Sequence, residues 1–93
     1  MAKTLYRTEN LELAALLRQL REEAGLVQTG LADRLGRNQT FVSNVELGIR
    51  RLDLVELRDY CQSLDISLVK LIERWETRLR PATKPRRVGK RKA

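Results

Sequence analysis

Ninety-three residues with 42% hydrophobic content suffice for one modest core and leave little chain to wall off a deep substrate cavity. The lack of histidine and the single cysteine, Cys61, exclude an internal disulfide, remove the commonest general base and leave no ligand set for tetrahedral zinc within one chain. The net charge is +7, but from Met1 to Leu79 twelve basic residues meet twelve acidic ones, so the whole excess lies in the seven Lys and Arg residues from Arg80 onward.

Leucine, arginine, glutamate and alanine dominate the balanced part, and no stretch alternates β-branched residues as a half-buried strand would. The expectation is an all-α fold, a compact bundle of five helices. Met1 to Glu9 reads as a flexible N-terminal arm. A first helix is predicted over about Leu11–Ala24, with Asn10 as N-cap, Leu13, Leu16, Leu17, Leu20 and Ala24 at helical spacing, and Gly25 just past its end. A short second helix runs from Gln28 to Leu35 with Leu31, Ala32 and Leu35 on one face, and Gly36 ends it. Asn38 caps a third, about Gln39–Glu46, whose inward residues are Val42 and Val45; Gly48 closes it. Asp53 and Glu56 have capping-box spacing and open a fourth helix to about Leu64, with Leu54, Leu57, Tyr60 or Cys61, and Leu64 inward. Ser67 caps a fifth that carries Leu68, Leu71, Ile72, Trp75 and Leu79 in a stripe, and Pro81 stops it. The domain is thus expected over residues 10–79, followed by a disordered basic tail, 80–93. Met1 to Tyr6 is too short and polar for a signal-peptide core, and no run approaches the roughly 18 apolar residues of a membrane span, so a cytoplasmic protein without a membrane partner is expected.

The stretch from Gln28 to Val45 carries the functional information. Two short helices joined by three residues must cross steeply, and Ala32 is small enough to let them approach. The turn needs one residue at positive φ, which Gly36 adopts without a Cβ clash. The free face of the third helix then bears Gln39, Thr40, Ser43 and Asn44, short polar side chains that can hydrogen-bond base edges. Phe41 is expected at the edge of the core, or against a thymine methyl or a sugar.

With Gln28, Ala32, Gly36, Val42, Val45 and the trailing Glu46-x-Gly48-x-Arg50 all in register, the chain resembles the lambda-repressor-like, XRE-type family of helix-turn-helix proteins from about Leu13 to Trp75. The resemblance implies a lambda-repressor-like bundle and a DNA-binding transcriptional regulator, a dimeric repressor of a palindromic operator, with no catalytic residues, cofactor or metal. It implies base contacts from Gln39, Thr40, Ser43 and Asn44, and phosphate contacts from Gln28, Arg50 and Arg51. Arg37, in the turn, is expected to reach phosphate as well. The counterpart of Glu46 holds a structural ion pair or hydrogen bond in such proteins. Three residues depart from the family pattern. Val27 stands where Ser or Thr usually caps, Gly30 lies inside the second helix, and Arg37 occupies a position that is often small. The first two each weaken that helix by about 1 kcal/mol, so it is expected to settle fully only on DNA.

Ile72, Trp75 and Leu79 extend the last stripe beyond a five-helix core and form the expected homodimer face, the alternative being that they cover the first helix of their own chain. Two recognition helices would then stand about 34 Å apart on double-stranded DNA. Cys61 is expected as a small buried hydrophobe. The tail (Arg80, Lys84, Arg86, Arg87, Lys90, Arg91, Lys92) either solubilises the chain or adds sequence-independent affinity for nucleic acid. Two other functions fit the same residues: an antitoxin whose tail or fifth helix holds a toxin or other protein partner, and a less specific nucleic-acid binder acting through the tail.

Overall fold

A computed structural model describes residues 7–80, and among them five helices: α1 Thr8–Glu23, α2 Gln28–Leu35, α3 Gln39–Glu46, α4 Leu54–Ser63 and α5 Leu68–Leu79. The expected basic tail beyond Arg80 and the first six residues of the expected arm lie outside the described residues.

Three helix starts follow from side-chain caps. Asn38 accepts from Phe41 N at 3.0 Å, Ser67 accepts from Lys70 N at 3.0 Å, and Asp53 with Glu56 forms the full reciprocal capping box. The start of α1 differs from expectation. Its N-cap is Arg7, so Thr8 and Glu9 are helical rather than part of an arm, and Asn10 sits inside the first turn. There the Asn10 amide donates to Gly48 O at 3.0 Å, tying α1 to the loop beyond α3. Gly48 answers this closeness: its φ is +81°, and a Cβ would lie 2.8 Å from Leu11 Cδ2.

One core joins all five helices. Leu16, Leu17 and Leu20 of α1 meet Leu31 and Ala32 of α2, Val42 and Val45 of α3, Leu57, Tyr60, Cys61 and Leu64, and Leu71 of α5. Leu16, Leu17, Leu31 and Leu71 are essentially inaccessible, each worth about 1.5–3 kcal/mol of burial. Both Tyr60 and Cys61 are buried; desolvation pushes the Cys61 thiol up to about 11, as suits a hydrophobe rather than a reactive thiol. Two expected core positions are exposed, where the others are buried or half-buried. Leu54, 66% exposed, is the first residue of α4, ahead of the turn whose Leu57, Tyr60, Cys61 and Leu64 face inward, and Ala24 is the exposed C-cap of α1.

α1 packs on both α3 and α5, while α2 packs on α3 and α4. The α1–α5 contact is polar at its rim. Trp75 Nε1 donates to Glu9 O at 3.0 Å, Arg78 bonds Glu12 at 2.9 Å and Gln19 at 3.1 Å, and Arg74 lies 3.6 Å from Glu23. Arg34 of α2 donates to Ser63 O at the end of α4, at 2.8 Å. This scaffold leaves α3 held on its inner side and open on the other.

Candidate nucleic-acid interface

α2 ends on Gly36 at φ +69°, with Gly36 N bonded to Asp33 O and Arg37 N to Ala32 O. That left-handed residue turns the chain so that Asn38, in extended geometry, can start α3 three residues later. Ala32, 2% exposed, lies in the α2–α3 contact core as the crossing requires. With Val42 and Val45 directed inward, Gln39 and Thr40 are exposed, and Ser43 and Asn44 are half-buried at the edges of the same outer face.

Behind the start of this face runs a chain of polar bonds. Arg21 of α1 grips Glu46 through Nε to Oε2 at 2.6 Å and Nη2 to Oε1 at 3.1 Å, and its Nη1 donates to Leu26 O at 2.8 Å. The guanidinium and carboxylate side chains are only 10% and 4% exposed. The bond to Glu46 holds the Arg21 guanidinium above its ordinary value, outweighing desolvation. Gln28 Nε2 donates to Glu46 Oε1 at 3.0 Å, and Gln39 Nε2 donates to Gln28 Oε1 at 3.1 Å. The polarity follows from Glu46: an ionised carboxylate only accepts, so Gln28 must point its NH2 group inward and its oxygen toward Gln39. Gln39 therefore enters the chain through an N–H, and its carbonyl end is not spent there. Glu46 is thus the structural ion-pair residue that the resemblance implies.

The opposite flank of α3 has a second cluster. Arg37, from the turn, and Arg50, from the loop after α3, both approach the Phe41 ring, with guanidinium carbons 4.1 and 5.2 Å from its centroid. Glu56 binds both, Arg50 Nη2 at 2.7 Å and Arg37 Nη2 at 3.3 Å, while Oε1 also accepts from Asp53 N. The Arg50 hydrogen bond and then the Asp53 amide hold the Glu56 carboxyl below the usual carboxylate range. Arg50 further donates to Arg51 O, and Arg51 itself is exposed.

This geometry has counterparts among known proteins. A family model described as a helix-turn-helix domain matches residues 12–75. The solved structure of an XRE-family like protein from Pseudomonas syringae pv. tomato str. DC3000 is 38% identical and covers 83% of this chain and 94% of its own, with a TM-score of 0.72. The chain belongs to the XRE-type helix-turn-helix domain family. Two structures of the restriction-modification controller protein C.Esp1396I share the fold at 22% identity. The wild-type protein gives a TM-score of 0.74, covering 78% of this chain and 96% of that one. The tetramer in complex with its natural 35 base-pair operator gives 0.71, with 76% and 93% covered. No curated protein matches the chain by sequence.

In this helix-turn-helix domain the expected base-contacting residues share one face of α3, and the expected phosphate contacts flank it. Gln28 lies on one flank, bonded to Glu46 and Gln39, and Arg37 and Arg50 lie on the other around Phe41, whereas Arg51 is exposed beside Arg7, Glu9 and Trp75. The expected dimer residues Ile72, Trp75 and Leu79 are all half-buried on α5, and the Trp75 indole is engaged with Glu9 of its own chain. Sequence reasoning missed two kinds of residue. Asn10 and Glu56 make bonds their local roles do not announce. Leu47, Ile49, Val55 and Val69 are exposed apolar side chains on the domain surface, and for Val55 and Val69 the off-phase position relative to the buried stripes of α4 and α5 was the available signal. Among the described residues no helix is long and apolar enough to cross a membrane.

Proposed function

We propose that this domain is a sequence-specific transcriptional regulator that places α3 in the major groove of double-stranded DNA. The observation that carries this reading is the outer face of α3. Four hydrogen-bonding side chains are presented there by a helix whose inner side is fixed by Val42, Val45 and the Arg21–Glu46 pair. Gln39 and Asn44 can pair in bidentate fashion with adenine, and Thr40 and Ser43 can bond either kind of base. Gln28, Arg37, Arg50 and Arg51 would hold phosphates on both sides, setting register rather than sequence. The C.Esp1396I controller, similar in fold, is known in complex with its operator as a tetramer, which supports an oligomer acting on operator DNA here. A homodimer formed through the face of Ile72, Trp75 and Leu79 would present two such helices to a two-fold symmetric site. No enzymatic role is part of this reading, and it has the protein act on DNA in the cytoplasm.

Selection of binding sites from a random duplex pool tests it. The full chain is expected to enrich a two-fold symmetric site that a Gln39→Ala/Asn44→Ala variant does not recover. Equal, unselective binding by both proteins would reassign the affinity to the basic residues outside α3.

A further inference from the structure

Arg37 and Arg50, both expected to reach phosphate, are not placed independently. They come from opposite ends of α3, 13 positions apart in the chain, and meet at one aromatic ring on its first turn. Both guanidiniums then reach one carboxylate, Glu56, which is fixed from behind by its role in the α4 cap. Burial gives the order of the layers: Glu56 is 21% exposed, Arg37 and Arg50 44% and 40%. The carboxylate is the inner anchor and the guanidiniums are the outer surface. Phe41, half-buried and packed against the core, is the platform between them.

We propose that Arg37, Phe41 and Arg50 form a single preassembled grip for one DNA backbone phosphate, in which Phe41 positions the two guanidiniums and touches no base. The proposal rests on the DNA-binding reading above and gives Phe41 a role within it. A guanidinium has five N–H groups in a fixed plane, and the bonds to Glu56, with that of Arg50 Nη1 to Arg51 O, engage only part of that fork on each arginine. The remaining edges are available to the phosphate oxygens, whose geometry a guanidinium matches better than an ammonium does. Stacking on the ring removes freedom that a long side chain would otherwise lose on binding, which is how a preorganised site raises affinity. A second arginine on the same ring doubles the local positive charge that Glu56 only half cancels. The grip sits beside the base-reading face, so it fixes where along the groove Gln39 and Thr40 come down.

The test is binding of the full chain to the selected site and to a random duplex over a range of salt. Phe41→Leu keeps most of the bulk and removes the ring face. It is expected to weaken binding about 3- to 10-fold on both duplexes, leave the preferred sequence unchanged, and flatten the slope of log affinity against log salt by up to about 0.9. In an Arg37→Ala/Arg50→Ala background the same change is expected to alter affinity less than about 2-fold, because the platform then has nothing to position. Arg37→Lys/Arg50→Lys preserves charge and core, carries the test should Phe41→Leu fail to fold, and is expected to weaken binding about as much as Phe41→Leu. Equal losses from Phe41→Leu in both backgrounds, a changed base preference, or full binding by the double lysine variant would each overturn the grip while leaving the regulator reading intact. A wild-type chain that binds no duplex would overturn that reading and the grip together.

Discussion

The two helices of the motif have the same length, eight residues each, but are secured in opposite ways. α3 starts on a made-to-measure cap, with the Asn38 side chain bonded to Phe41 N. α2 starts on Val27, which gives no side-chain cap and is 66% exposed, and it contains Gly30. By local propensity α2 is the poorer helix by about 2 kcal/mol. It is nonetheless formed from Gln28 to Leu35, because tertiary contacts replace what its sequence omits. Leu31 and Ala32 are buried, Arg34 is tied to Ser63 O, and Gln28 is tied to Glu46. α2 is thus a helix by virtue of its neighbours, and α3 by virtue of its own sequence as well.

The sharpest way to break this contrast is through Glu46, where both helices meet α1. Glu46→Ala would strand the buried Arg21 with only Leu26 O remaining of the bonds described for its guanidinium, and would leave Gln28 without its acceptor. Removing one partner of a buried pair costs about 3–5 kcal/mol. The urea midpoint should fall accordingly with little change in slope, and amide exchange should speed up in α2 more than in α3. A loss below about 1 kcal/mol, the range of exposed pairs such as Arg74–Glu23, would mean that α2 does not lean on this pair.

The reverse experiment gives α2 what α3 already has. Val27 has φ −86° and ψ 168°, extended as an N-cap should be, so Val27→Ser can supply the missing acceptor. At Gly30 a Cβ would meet Leu26 Cδ2 at 3.6 Å and Val27 Cγ2 at 3.9 Å, ordinary contacts, so Gly30→Ala fits without rearrangement. Each change is expected to stabilise by about 1 kcal/mol, read as a higher melting temperature and slower exchange within Gln28–Leu35. Asn38→Ala is the mirror image on α3. It should cost about 1 kcal/mol, the smaller end of the comparison, and fray the first turn that carries Gln39 and Thr40. If stabilised α2 binds operator DNA no more tightly than wild type, the helix is already settled before DNA arrives, against the expectation drawn from Val27 and Gly30.

What the sequence disclosed was local, and what it concealed was distant. The bounds of α3, the left-handed Gly36, the capping box and the Ser67 cap all depend on residues within four of one another, and all stand as expected. Asn10 illustrates the limit. Its side chain suits an N-cap equally well in sequence, but a carbonyl 38 residues away claims it, and the helix starts at Thr8 instead. Leu54 kept the helical phase of its neighbours but falls at the first turn, where no partner helix covers it. In the candidate interface, the outer face of α3 was legible because it is the complement of Val42 and Val45. The meeting of Arg37 and Arg50 on Phe41, and of both with Glu56, was not, since no periodicity links a turn, a helix, a loop and the cap of another helix.

Tyr60 gives a fine test of how closed the Arg21–Glu46 region is. The residue is fully buried, and its hydroxyl meets no hydrogen-bond partner among the described residues. Its phenol is pushed well above its ordinary value, first by desolvation and then by the negative charge of Glu46, so it stays neutral. An unpartnered buried hydroxyl costs roughly 1–3 kcal/mol. Tyr60→Phe removes that group and keeps the ring, and should leave the melting temperature unchanged or raise it. A clear loss of stability would show that the hydroxyl is bonded in solution, through water or through Glu46. The ion pair beneath α2 would then be a larger network, with Tyr60 as its fifth member beside Arg21, Glu46, Gln28 and Gln39. In that event Glu46→Ala and Tyr60→Phe would be non-additive, whereas a closed pair predicts that their effects sum to within about 0.5 kcal/mol.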